Sequence, residues 1–152
     1  MKKTVSLVLV LSMIAVAVIG FGTAANAQTL SNAEKALALI NTFATGDADM
    51  ARSLLAEDYI QHNLAYGTGA DAFVGSVEYL ASAEVKTPVN NIRAFEDGDK
   101  VFLQTVYNFA GAGEQVAFDS FRIDENGKIA EHWDVMETIA DEATWQNQNG
   151  KF

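Results

Sequence analysis

The spacing of hydrophobic residues changes once along the chain. From residue 31 to residue 83, apolar residues recur every third or fourth position, which is typical of helices that bury one face. Ser31-Asn32-Ala33-Glu34 has the form of a capping box, and Gly46 is a suitable stop, so we expect the first helix between them. Asp47 can cap a second helix that runs to about Ala56. A short strand at residues 59–63 and a third helix at about residues 70–83 complete this half.

After Pro88, the only proline, apolar and polar residues alternate with a period of two. Turn-forming Gly, Asn and Asp residues divide this half into four strands. Short connections make consecutive strands antiparallel neighbours. Helices followed by a meander predict an α+β domain with the helices on one face of a curved sheet. The four predicted strands are residues 89–95, 100–109, 114–124 and 128–139.

Residues 1–27 have the pattern of a secretory signal peptide. Lys2 and Lys3 precede a nearly continuous apolar run from Val5 to Phe21, and Ala25-Asn26-Ala27 fits the small-x-small cleavage site. The alternative is an uncleaved membrane anchor, since the run approaches the length of a transmembrane helix. We expect cleavage, which leaves one domain at residues 28–152 in the periplasm or outside the cell.

Charge and composition exclude several functions. The net charge of −10 becomes −12 without Lys2 and Lys3, because residues 1–27 contain no acidic residue. Such a surface repels nucleic acid and anionic membranes, so we expect neither as a partner. The chain has no cysteine, which excludes disulfides, thiol nucleophiles and iron–sulfur clusters.

Three titratable side chains flank the last predicted turn. Asp119 precedes it, and His132 and Asp134 follow it. A two-residue Asn126-Gly127 loop places Asp119 opposite Asp134, on one face of the sheet. A three-residue loop that includes Glu125 places Asp119 opposite Trp133 instead, and periodicity alone leaves both registers open.

Two segments resemble the SnoaL-like polyketide cyclase family. These are Tyr-Ile-Gln-His-Asn at residues 59–63 and the string from Phe118 to Val135, FDSFRIDENGKIAEHWDV. The family belongs to the nuclear-transport-factor-2-like superfamily, which includes ketosteroid isomerase. The resemblance implies a cone-shaped fold, in which three helices pack on a curved antiparallel sheet with a pocket between them.

The resemblance also implies roles for individual residues. In ketosteroid isomerase, the aspartate that corresponds to Asp119 points into the pocket and donates a hydrogen bond to the substrate. The isomerase's base falls near His62, while its tyrosine donor falls at Leu39 and is therefore missing. SnoaL-like cyclases use a pocket aspartate and histidine for aldol closure without a cofactor. This implies acid–base chemistry on a small hydrophobic carbonyl compound, with a non-catalytic ligand-binding module as the alternative.

We therefore predict that four residues form the catalytic group and converge on one cavity: Asp119, His132, His62 and Asp134. Pocket walls are predicted at Tyr59, Phe73, Phe121 and Met136. Two histidines and an aspartate can also ligate a metal, but the resembling families work without one, so we expect no metal and no cofactor. Trp133 should lie on the opposite face of the sheet, where an exposed tryptophan suggests a homodimer contact.

Overall fold

A computed structural model describes residues 30–152, so the predicted signal peptide lies outside the described residues. These residues form three helices, five strands and two short 3-10 turns at Phe109–Gly111 and Glu142–Thr144. Within residues 30–152, none of the helices has the length and apolarity needed to cross a bilayer. In chain order the elements are α1 (Asn32–Thr45), α2 (Ala48–Leu54), β1 (Leu55–Gln61), α3 (Ala70–Ser82), β2 (Val89–Asp97), β3 (Lys100–Tyr107), β4 (Gln115–Ile123) and β5 (Ile129–Thr138).

The two predicted helix starts carry the expected caps. Ser31 accepts a hydrogen bond from the Glu34 backbone and Glu34 reaches back to Ser31, which completes the capping box of α1. Asp47 accepts from the Met50 backbone at the start of α2. Gly46, between the two helices, has a φ of 74°, a left-handed conformation that glycine adopts without strain.

The predicted boundary between α2 and β1 is wrong by several residues. The helix ends at Leu54 rather than near residue 56, and the strand begins at Leu55 rather than at residue 59. Leu55 pairs with Ile129 of β5 and is buried in the core. Pairing with a strand more than seventy positions away thus overrides the local helical spacing.

The sheet confirms the predicted α+β class and adds one feature. Its strand order is β1-β5-β4-β3-β2. The four strands of the meander pair antiparallel, whereas β1 lies parallel to β5 at one edge. All three helices pack on one face of this sheet, which we call the inner face, and the core lies between the two layers.

The turn between β4 and β5 combines the two registers left open by the sequence. The backbone N–H of Asp124 donates to the Lys128 carbonyl, and the Lys128 N–H donates to the Asp124 side chain, so these two bonds enclose the three-residue loop 125–127. A β-bulge follows at once, because Ile123 pairs with Ile129 while Arg122 pairs with Glu131. Ala130 is the extra residue. The bulge restores the register of a two-residue loop, so Asp119 pairs with Asp134.

The opposite face of the sheet, which we call the outer face, carries several exposed apolar side chains. Phe95 pairs with Phe102 across β2 and β3, and Phe118 pairs with Val135 across β4 and β5. All four are at least half exposed. Trp133 also lies on this face, as predicted from its alternation with His132 and Asp134.

The close approach of α1 and α3 at Gly46 generates a stability prediction. A Cβ atom at Gly46 would lie 2.7 Å from the Cβ of Ala81, and the left-handed backbone would be strained as well. We expect Gly46→Ala to lower the free energy of unfolding by about 2–4 kcal/mol in urea denaturation. Gly98→Ala is the control, since Gly98 has a φ of 60° but no atom within 4 Å of the added Cβ. Gly98→Ala should lower the free energy of unfolding by only about 1–2 kcal/mol. Equal losses in the two variants would contradict the close contact between Gly46 and Ala81.

Candidate functional site

A cavity of about 510 Å³ lies between the inner face of the sheet and helices α1 and α3. Four of its polar residues meet on β1, β4 and β5 and form what we call the polar end, namely Gln61, Asp119, His132 and Asp134. The rest of the lining is mainly apolar. It includes Ile40, Phe43, Phe73, Leu80, Phe109, Phe121 and Met136.

Asp119 lies at the floor of this cavity and is almost fully buried. The Tyr107 hydroxyl donates to its Oδ2 at 3.0 Å, and its Oδ1 lies 3.2 Å from Nε2 of His132. Burial, followed by the nearby Asp119 carboxylate, raises the pKa of Tyr107 well above its usual value, so this hydroxyl keeps its proton and donates. Asp119 is therefore an acceptor here, whereas the resemblance to ketosteroid isomerase implied a donor.

Gln61 determines which nitrogen of His132 carries the proton. The Gln61 Oε1 atom accepts from the backbone N–H of Asn63 at 2.9 Å, so the amide NH₂ faces the histidine ring. Its Nε2 lies 3.0 Å from Nδ1 of His132. Because an amide NH₂ can only donate, Nδ1 accepts and the ring proton is on Nε2. His132 therefore donates to Asp119, and its ring stacks on Phe121 with a centroid distance of 4.5 Å.

Asp134 differs from Asp119 because one of its oxygens has no partner. Asn63 donates to Oδ1 at 2.6 Å, whereas Oδ2 accepts no hydrogen bond from residues 30–152 and lies 4.0 Å from Nε2 of His132. The side chain is 5% exposed and lines the cavity. Burial, with a smaller contribution from Asp119, raises the pKa of the Asp134 carboxyl, against the opposing effects of His132 and Asn63. A carboxylate with a raised pKa and a free oxygen is suited to proton transfer near neutral pH.

The structure brings most of the predicted site residues together. Three of the four predicted catalytic residues line the cavity, namely Asp119, His132 and Asp134. So do three of the four predicted wall residues, namely Phe73, Phe121 and Met136. Tyr59 does not line it: this residue is buried behind the wall, where its hydroxyl accepts from Gln61 at 3.3 Å.

The predicted position of His62 in the cavity is wrong. Its ring lies on the outer face, stacked on Trp133 with a centroid distance of 4.4 Å, and its Nε2 is 2.9 Å from Glu131. The alternation of side chains along β1 explains this, because Tyr59 and Gln61 point inward and the next residue must point outward. The four predicted catalytic residues therefore do not all converge, and Gln61 occupies the inward position at this strand end.

Sequence reasoning missed three polar residues of the site: Gln61, Asn63 and Tyr107. Gln61 and Asn63 belong to the segment that carried the resemblance, and alternation along β1 gave a signal for Gln61. Tyr107 gave none, since it pairs with Gln115, four residues or about 13 Å along β4 from Asp119. Only the curvature of the sheet and the length of the tyrosine side chain bring the two groups into contact.

The three titratable groups also have the composition of a possible metal site. Ligand atoms of Asp119, His132 and Asp134 lie within 4.8 Å of one another. Carboxylate and imidazole ligands suit several divalent metals. However, Nε2 of His132 carries the proton that it donates to Asp119, so a metal would have to displace that proton and break the hydrogen bond. The existing contacts fit proton transfer better than metal binding.

Comparison with known proteins agrees with this architecture. The family model for the SnoaL-like domain matches residues 36–132, which is more than half of the chain. The protein therefore belongs to the SnoaL-like domain family. No functionally curated protein matches its sequence.

Solved structures show the same nuclear-transport-factor-2-like fold. An NTF2-like protein of unknown function from Cytophaga hutchinsonii has a TM-score of 0.61 and 17% identity, over 72% of this chain and 92% of that one. A LEH-like epoxide hydrolase from M. tuberculosis has a TM-score of 0.59 and 18% identity, over 70% and 82%. Wild-type IdmH from Streptomyces antibioticus, whose assignment as a polyketide cyclase is provisional, has a TM-score of 0.57 and 18% identity, over 71% and 93%. Identities this low establish the fold alone.

The raised pKa of Asp134 generates a prediction about stability and pH. The folded-state pKa of this carboxyl lies above the unfolded value of about 3.9, so the folded state binds the proton more tightly than the unfolded state does. The carboxyl therefore makes its full contribution to stability only below about pH 3.9. That contribution is lost as the pH rises through the folded-state pKa. We therefore expect the stability of Asp134→Asn, relative to the wild type, to increase between about pH 3 and pH 7. Urea denaturation across this range measures the difference.

Asp119→Asn is the matched comparison for that experiment. The amide NH₂ that this substitution introduces would face one of two donors, Tyr107 or His132. We therefore expect the free energy of unfolding to fall by about 1–3 kcal/mol at pH 7. A stability difference for Asp134→Asn that does not change with pH would contradict the raised pKa.

Proposed function

We propose that the protein is a cofactor-independent acid–base enzyme that removes a proton next to the carbonyl group of a small apolar compound. This step begins both an aldol closure and an isomerisation. The observation that carries the proposal is the Oδ2 of Asp134, which accepts no hydrogen bond within residues 30–152 and lies 4.0 Å from the nitrogen of His132 that carries a proton. A base and a proton donor thus face the same end of one cavity.

Asp134 is the proposed base. Its Oδ2 takes the α-proton of the substrate, while Asn63 holds Oδ1 and so fixes the orientation of the carboxylate. A raised pKa makes a carboxylate a stronger base once it is ionised, which favours abstraction of a carbon-bound proton. The same group can return the proton to another carbon, which gives isomerisation.

His132 is the proposed donor to the carbonyl oxygen. Its Nε2–H lies 3.2 Å from Asp119 and 4.0 Å from Asp134, so an oxygen placed beside Asp134 can share this proton with Asp119 in a bifurcated hydrogen bond. Negative charge that leaves Asp134 in the transition state develops on that oxygen, where the hydrogen bond stabilises it. Gln61 and Asp119 keep the ring in the required tautomer and orientation, and so act as positioning residues.

The substrate class follows from the cavity. A volume of about 510 Å³ with mainly apolar walls is within the range for a small organic ligand. The names of two structural relatives, a provisional polyketide cyclase and an epoxide hydrolase, are compatible with acid–base chemistry in this fold. The alternative is a non-catalytic binding module, which the extensive hydrogen bonding among the buried polar groups also favours.

The N-terminal sequence and the outer face support two further proposals. The pattern of residues 1–27 supports export to the periplasm or outside the cell. The exposed apolar side chains Phe95, Phe102, Phe118 and Val135, together with Trp133, support a homodimer through the outer face.

Exchange of α-protons tests the catalytic proposal. Incorporation of deuterium from D₂O into a panel of small ketones can be followed by NMR. We expect Asp134→Asn and His132→Ala each to slow exchange by about 10²–10⁴-fold, the range for loss of a general acid or base. The rate of the wild type should rise with pH as Asp134 ionises, and EDTA should not change it.

Glu137→Gln is the control for this experiment. Glu137 lies on β5 as well, but it is exposed and paired with Lys151, so its loss should leave exchange unchanged. Equal exchange by the wild type, Asp134→Asn and His132→Ala would refute the enzyme and support the binding module.

Sedimentation equilibrium tests the dimer. Val135 is 73% exposed on the outer face. The variant Val135→Arg would place a charge in the proposed contact and should convert the dimer to a monomer. Leu64→Arg, in the exposed loop after β1, is the control and should remain dimeric. A wild-type protein that is monomeric at high micromolar concentration would contradict the dimer.

A further inference from the structure

The polar end of the cavity carries negative charge that no side chain of the lining neutralises. Asp119 and Asp134 line it, whereas none of the lining residues is Lys or Arg. His132 is the one lining residue that can become cationic, and the Gln61 amide, which donates to Nδ1, leaves the ring proton on Nε2 beside Asp119. A neutral ligand would leave this charge without a counter-ion.

Aromatic rings form the wall next to this charged end. The Phe43 ring contacts Phe73, Tyr107 and Phe109, with centroid distances of 5.0, 6.4 and 5.6 Å. Tyr107 connects this cluster to the carboxylates, because its hydroxyl donates to Asp119. The faces of aromatic rings attract cations, above all organic ammonium groups that are easily desolvated.

Asp134 supplies an acceptor that has no partner. Its side chain is 5% exposed, its Oδ2 accepts no hydrogen bond within residues 30–152, and it lines the cavity. No fully buried side-chain oxygen or nitrogen within residues 30–152 lacks a partner, so this Oδ2 is accessible from the cavity and can accept a hydrogen bond from a ligand. The free oxygen, the absence of lining cations and the aromatic wall therefore point to the same class of ligand.

We propose that the cavity binds a ligand with a small organic ammonium group, which lies between the carboxylate end and the aromatic wall. This inference rests on the proposed function and narrows it, since the substrate would be an amine-bearing carbonyl compound. Proton abstraction moves a negative charge from Asp134 to the ligand oxygen and leaves the charge of the cavity unchanged. One ammonium group on the ligand thus offsets one of the two negative charges before and after the step.

A bare metal ion fits these observations less well. It would use the carboxylates but not the aromatic wall, and it would fill a small part of a cavity of about 510 Å³. The cavity is therefore better suited to an organic cation than to a metal ion.

Choline and 3,3-dimethylbutan-1-ol form a matched pair of probes for the full chain, because they have nearly the same shape and differ in charge. We expect isothermal titration calorimetry to show choline binding at least about tenfold tighter than the alcohol. Asp134→Asn should remove this preference, while Glu137→Gln, which deletes an exposed charge on the same strand, should retain it.

Equal binding of both probes to the wild type would overturn the ammonium proposal, and so would binding of Mn²⁺ that displaces choline from the carboxylates. Neither result depends on turnover. Deuterium exchange on uncharged ketones that requires Asp134, combined with equal binding of the two probes, would uphold the enzyme and refute the cation. A choline preference that is lost in Asp134→Asn, without exchange on ketones with or without an ammonium group, would uphold the cation and refute the enzyme.

Discussion

The β-bulge at Ala130 is the constraint on which the site depends. It follows a three-residue turn and shifts the register of β5 against β4 by one residue. With this shift, Asp119 pairs with Asp134, and His132 and Asp134 face the helices. Without it, Asp119 would oppose Trp133, and the side chains of β5 would exchange faces.

Hydrogen bonds from β1 and β3 then give the two aspartates different properties. Asp119 accepts from Tyr107 and His132, so both of its oxygens are satisfied. Asp134 accepts from Asn63 alone, which leaves one oxygen free beside the proton of His132. The parallel pairing of β1 with β5 is essential to this difference, because it brings Gln61 next to His132. One carboxylate thus positions the histidine, while the other remains available for proton transfer.

The sequence predicted the fold and much of the site, for identifiable reasons. Periodicity and caps located the helices and the meander, since these depend on local spacing. The resemblance, rather than periodicity, indicated that Asp119 faces the same cavity as His132 and Asp134. Contacts between distant segments were not predictable: β1 begins at Leu55 because it pairs with β5, and Tyr107 reaches Asp119 because the sheet curves. The resemblance places His62 in the cavity, whereas alternation along β1, in which Gln61 faces inward, turns His62 to the outer face.

The tautomer of His132 decides which carboxylate holds the ring and which keeps a free oxygen, and ¹⁵N NMR of the imidazole measures it. We expect the neutral ring to carry its proton on Nε2, with an unprotonated Nδ1 that accepts from Gln61. A neutral ring with its proton on Nδ1 would contradict this assignment.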